Sequence, residues 1–194
     1  MEAFEAILTR RSTRRMAEAL PDMELIGKVI EAGRSAPSGS NSQSTHLIVI
    51  TKKEQLDRIA EIVQDAFAKM EDGPDTYVSL RHSIRAARTG KYRFHYGAPV
   101  LIVTANRKGY DNALADSACV LENMMIAASA LDLGSCWVNQ LHWLDTDPGV
   151  REFMAGIGLR DDETITGGLV LGYAADGAPA RKPLKRTGNP VTWA

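Results

Sequence analysis

Stretches with helical spacing of apolar residues alternate along this chain with short, nearly unbroken apolar runs. Residues 2–9 read as a short helix with Phe4, Ile7 and Leu8 on one face. Pro21-Asp22 opens a second helix, which turns Leu25, Ile26, Val29 and Ile30 inward and ends near Gly33. Residues 53–70 carry the clearest amphipathic pattern, with Leu56, Ile59, Ala60, Val63, Phe67 and Met70 on one stripe. A long helix follows Asp111-Asn112 and ends at a C-cap on Gly134. Asp147-Pro148, an N-cap followed by proline at the first helical position, starts another that fades at Gly156 or Gly158. Strands are expected at 45–51, 99–105, 134–140 and 163–174. By pattern alone, such alternation of strands and helices points to a parallel α/β sheet.

Three segments fall outside this regularity. Ser35 to Ser44 is small and polar, with Pro37 and Gly39, and reads as a loop. From 71 to 96 the pattern decays, and aromatic residues are scattered among basic ones; this is the expected lid or excursion. From 176 onward the chain is too rich in proline and basic residues for regular structure.

The 113–133 helix is apolar on several faces, since Leu121, Met125 and Ala128 are joined by Val120, Met124 and Ala127. It must be covered on several faces, and a second subunit is one cover. The 194 residues fit one domain, 1–194, with a substantial core. Formal net charge is -1, which argues against a nucleic-acid binder with its broad basic excess. Cys119 and Cys136 form neither a disulfide framework nor a CxxC motif, and no apolar stretch is long enough to span a bilayer. A soluble, cytoplasmic protein with no membrane partner is expected.

Against that neutral background, Arg10-Arg11-Ser12-Thr13-Arg14-Arg15 places four guanidinium groups in six residues. Arginine offers a planar fork of donors that matches phosphate oxygens two at a time. A solvated basic surface run is the alternative. Other chemistry is missing. No GxGxxG follows a strand, no Walker A motif occurs, and no GxSxG elbow is present. His46, His82, His95 and His142 stand at no metal-ligand spacing, and no metal site is expected. A chain that offers anion binding without an evident nucleophile can still be an enzyme if a cofactor carries the chemistry.

Several motifs in order carry a family resemblance. They are Arg10-Arg11-Ser12-Thr13-Arg14 after a helix, and Ala36-Pro37-Ser38-Gly39-Ser40-Asn41-Ser42-Gln43 before a strand. Leu131-Asp132-Leu133-Gly134-Ser135-Cys136-Trp137 follows, and Gly172-Tyr173 precedes a basic Arg181-Lys182-Pro183-Leu184. In this order and spacing the chain resembles the FMN-dependent nitroreductase family over essentially its whole length.

The resemblance implies an α+β fold, in which a mostly antiparallel central sheet is wrapped by helices in an intertwined homodimer. FMN would lie at each interface, and the 176–194 tail would pack on the partner subunit. It implies that Arg10, Ser12 and Arg14 hold the FMN phosphate and ribityl chain, with Arg11 along the flavin's polar edge. Pro37, Ser38, Gly39 and Asn41 correspond to a loop laid on the flavin by the second subunit. Trp137, Val138, Asn139 and Gln140 correspond to the segment beside N5, and Arg181 or Lys182 to a late basic group returning to the phosphate. Lys91-Tyr92-Arg93-Phe94 stands where larger relatives touch the pyrimidine edge, and its register stays open. Asn139-Gln140 replaces an acidic-glycine pair found in some relatives.

The implied activity is ping-pong transfer of hydride from NADH or NADPH, a transient reductant, through FMN to a small electron-poor acceptor. A nitroaromatic, a quinone or another flavin would serve. No side chain is assigned as a catalytic acid, because water can supply protons. Alternatives are a non-catalytic FMN-binding protein, a specialised relative such as a flavin reductase or reductive dehalogenase, and an anion-binding module.

Overall fold

The computed structural model describes residues 2–194. Its helices are α1 (Ala3–Thr9), α2 (Met23–Arg34), α3 (Lys53–Lys69), α4 (Val78–Ala87), α5 (Ala113–Ala130), α6 (Gln140–Trp143) and α7 (Pro148–Ala155). The strands are β1 (His46–Ile50), β2 (Val100–Arg107), β3 (Gly134–Val138) and β4 (Glu163–Gly172). They form one sheet in the order β1-β2-β4-β3, with every neighbouring pair antiparallel. The fold is therefore α+β.

Two features turn an alternating pattern into an antiparallel sheet. A single helix between strands returns the chain to the end where it began, giving a parallel pair. Between β1 and β2 there are two helices, and the second reverses the direction again. That second helix, α4, lies inside 71–96, spans ten residues and buries Ser83, Ile84 and Ala87. β2 and β3 both run antiparallel to β4, so they are parallel to each other with β4 inserted between them.

Period-two alternation sends each strand to two layers. Leu101, Val103 and Ala105 of β2 join α3, α4, α6 and α7 in one core, with Phe67 and Ile84 fully buried. Val100 and Ile102 join α2 and α5 in the other, around Ile26, Leu121 and Met124. A bulge between Thr104 and Ala105 leaves Thr166 outside the register of strand partners. Its hydroxyl bonds Thr104 (3.0 Å) and Ser117 of α5 (2.8 Å), which ties the sheet to that helix.

The 71–96 segment is packed rather than detached. Phe94 is fully buried, Tyr92 meets Phe67 edge-on at 6.3 Å, and Asp72 holds Arg85 and Arg88 at 2.9 Å each. In α1 the face bearing Phe4, Ile7 and Leu8 is exposed, and Ala6 and Thr9 face inward. The tail has no helix or strand, and its Leu184, Val191 and Trp193 are exposed. Among the described residues no helix is long and apolar enough to cross a membrane.

Candidate cofactor site

The arginine run leaves α1 at its C-cap, Arg10, and crosses the end of the sheet in an extended path. Thr13 N–H donates to the Ser135 carbonyl (2.8 Å), Ala17 N–H to Tyr173 (2.9 Å) and Ala175 N–H to Arg15 (3.0 Å). Ser12 bridges Ser135 in parallel fashion, so the run is stitched to the start of β3 and the end of β4. Thr13 is the buried residue of the run; Arg14 and Arg15 are exposed, and Arg10, Arg11 and Ser12 partly so.

These residues open a cleft of about 270 Å³ lined by Arg10, Arg11, Ser12, Arg14, Pro179, Leu184 and Arg186. It is strongly cationic, and its nearest compensation is Glu122, 3.6 Å from Arg10 Nε. Arg11 Nη1 donates to the Arg10 carbonyl (2.6 Å), while its Nη2 is buried with no hydrogen-bond partner. A buried guanidinium nitrogen without an acceptor is a costly arrangement, and an anion in the cleft would supply the acceptor. The Arg14 guanidinium lies 5.9 Å from the centre of the Tyr96 ring. Burial pushes the Cys136 thiol up from its ordinary pKa, against the opposing charge of Arg14, so this cysteine stays a protonated packing group.

The tail contributes to the cleft through Pro179, Leu184 and Arg186. Arg181 is engaged elsewhere: it donates to the carbonyls of Ser129 and Leu133 (2.8 Å each) and pairs with Asp132 at 3.0 Å. A cation there suits the negative end of α5 and anchors the tail. Lys182 is exposed. No sequence signal singled out Arg186, since its approach depends on how the tail folds back.

The Pro37–Gln43 loop lies against the start of α5. Gly39 N–H and the Ser42 hydroxyl both donate to Asp116, and Gln43 N–H donates to the Ser38 hydroxyl. Asn41 and Pro37 are exposed; Ser38 and Gly39 are half-buried. None of the loop residues lines the arginine cleft of the same chain. Trp137 and Val138 end β3, and Asn139 precedes α6, its side chain accepting a hydrogen bond from the Trp137 indole (2.5 Å) rather than capping the helix. Gln140 is buried and turned away, donating to Tyr92 (2.9 Å) and Ser83 (3.3 Å). Burial pushes the Tyr92 phenol above its ordinary pKa, which keeps it neutral. Arg93 is paired with Asp57 at 2.6 Å.

A larger cleft, about 480 Å³, lies between the start of α3 and residues 93–99; Arg93 and Asp57 line it, and no residue of the arginine run, the Pro37–Gln43 loop or the Trp137–Gln140 segment does. Its buried wall includes His95, whose ring lies near the Ala98 backbone without a hydrogen bond of normal geometry. Among the described residues no group of three or more His, Cys, Asp or Glu is placed to hold a metal ion.

Comparison with known proteins bears on what the cleft holds. The model of the Nitroreductase family matches residues 7–173. A 4-nitrobenzoate reductase of Nocardioides sp. (strain LMS-CY) is 29% identical over 226 residues, covering 96% of this chain and 89% of its own. The crystal structure of a nitroreductase with bound FMN from Bacteroides fragilis superposes with a TM-score of 0.89 at 30% identity, over 100% of both chains. A second FMN-bound nitroreductase, from Desulfitobacterium hafniense, gives 0.79 at 25% identity, over 99% of this chain and 100% of its own.

Proposed function

The chain belongs to the nitroreductase family, and from that premise we propose that it is an FMN-dependent oxidoreductase using NADH or NADPH. The observation that carries this reading is the arginine cleft. Four guanidinium groups converge there, and one has a buried nitrogen with no acceptor of its own. The donor set fits a phosphate dianion. Arg10, Ser12 and Arg14 would hold the FMN phosphate and ribityl chain, with Arg11 beside them and Arg186 joining from the tail. When bound, FMN supplies a ring that accepts hydride at N5 from the nicotinamide and yields it to an electron-poor acceptor such as a nitroaromatic or a quinone.

The chain's own residues bind and orient. The rigid attachment of the arginine run to β3 sets the phosphate end relative to the Trp137–Gln140 segment, which leads from the same strand. Backbone N–H groups there would favour the electron-rich form of a bound ring. Gln140 acts from behind, since its side chain is committed to Tyr92 and Ser83. Protons come from water.

The working unit is a homodimer. Phe4, Ile7 and Leu8 of α1 and Leu114 of α5 are exposed apolar side chains that a second copy would cover. The tail, with Trp193 exposed, would reach the partner subunit. The Pro37–Asn41 loop, absent from the cleft of its own chain, would serve the partner's flavin. The test is the visible absorbance of the purified protein before and after anaerobic NADH or NADPH. Yellow protein bleached by either is the expected result. Yellow protein that neither bleaches would instead be a non-catalytic flavin binder, and protein that takes up no added FMN would end the reading.

A further inference from the structure

We propose that Asp116 is a positioning residue, which from the first turn of α5 holds the Ser38–Gln43 loop in the conformation that meets the flavin. The proposal rests on the flavin reading above. Asp116 does not line the arginine cleft and is only 5% exposed. Its carboxylate is an acceptor for two separate pieces of chain. Oδ1 takes the N–H of Gly39 at 3.0 Å, and Oδ2 takes the hydroxyls of Tyr110 (2.9 Å) and Ser42 (3.3 Å).

What these bonds hold is unusual backbone. Ser40, Asn41 and Gln43 have φ of 52°, 54° and 48°, the left-handed region that L-residues with side chains avoid. Such strain persists only where surrounding contacts over-determine it, and it gathers at ligand sites. Here it is not repaid by burial, because Ser40, Asn41 and Gln43 are all exposed. The loop is also pressed against its support. A Cβ on Gly39 would stand 2.2 Å from Asn112 Nδ2 and 2.8 Å from the Tyr110 hydroxyl, so a side chain there would displace both. The Tyr110 ring in turn lies 5.2 Å beneath the Arg107 guanidinium. The result is an exposed, rigid ledge whose shape is set by one buried carboxylate. A surface ordered in advance loses less freedom when it binds.

The test uses full-length protein, with FMN titrated by quenching of its fluorescence and the bound flavin's visible spectrum recorded. Asp116→Ala is expected to weaken FMN at least tenfold and to shift the bound spectrum. Asp116→Asn retains an acceptor for the Gly39 N–H and is expected to recover most of the affinity. Ser42→Ala, which removes one donor at a partly exposed position, is expected to show a smaller shift in the same direction; it carries the test if Asp116→Ala fails to fold. Wild-type affinity and spectrum in the folded Asp116→Ala or Ser42→Ala proteins would overturn the proposal and assign Asp116 a purely structural role. Failure of the wild-type protein itself to bind FMN would instead overturn the flavin reading, and this inference with it.

Discussion

Thr13 lies against the α-carbon of Gly134, so close that a Cβ there would stand 2.8 Å from Thr13 Cγ2. The contact joins the arginine run to the first residue of β3, and beside it Thr13 N–H bonds the Ser135 carbonyl. Gly134→Ala should push the run off the strand. Overpacking of this kind costs about 1–3 kcal/mol. The variant should unfold at lower urea and bind FMN more weakly, since both effects share one displaced segment. Loss of stability with unchanged FMN affinity would show that the run is not the phosphate cradle.

Arg10 and Arg14 should dominate the affinity for the phosphate. Charge-assisted hydrogen bonds contribute about 1.5–3 kcal/mol each. The Arg10→Ala, Arg14→Ala double variant should therefore weaken FMN about a hundredfold or more. Equilibrium dialysis against FMN measures this directly. Undiminished flavin retention would return the run to the status of a solvated surface.

Sharing of the flavin between subunits has a complementation test. A chain with the double arginine change has a damaged cradle and a sound loop. A Gly39→Ala chain has the reverse, since its Cβ would collide with Asn112 and Tyr110. Co-expressed, the two should form mixed dimers with one intact site, and bound FMN should reappear. Sites built within single chains would regain none.

Acid should destabilise the fold through His95. Burial, aided by the charge of Arg93, holds its imidazole below the ordinary value of 6.5. With the folded pKa depressed, the unfolded chain binds the extra proton first. Its contribution to stability is thus complete above pH 6.5 and is lost as pH falls from there toward the folded value. The urea midpoint should decline over that range, and His95→Phe should flatten the decline. An identical slope in the variant would place the sensitivity elsewhere.

Phe94 tests whether 71–96 belongs to the body of the protein. It is fully buried and meets the His95 ring edge-on at 5.6 Å. Phe94→Ala should cost about 3–5 kcal/mol, as for other buried aromatic residues. Denaturant titration reads it. A segment that behaves as a free lid would lose almost nothing.

Much of this arrangement was legible in the chain. The 53–70 pattern anticipates α3, Asp147-Pro148 marks the start of α7, and the 99–105 run lies within one residue of the start of β2. Asp147 does cap α7, accepting the Val150 N–H at 3.0 Å. α4 and α6 were not legible, because both are short: α4 has ten residues among scattered basic and aromatic ones, and α6 is a single turn. The long helix has apolar residues on several faces, and α5 does leave Leu114 exposed and Ile126 and Ala127 half-buried.

The sequence by itself determined the local elements and the arginine-serine run, because periodicity, capping and charge density act over a few neighbouring residues. Only the tertiary structure decided that β4 enters between β2 and β3, that Arg186 rather than Arg181 reaches the cleft, and that Asp116 supports a loop 77 residues earlier in the chain. Each depends on which distant segments meet. That choice comes from the packing of two layers on the sheet as a whole, which no short window of sequence contains.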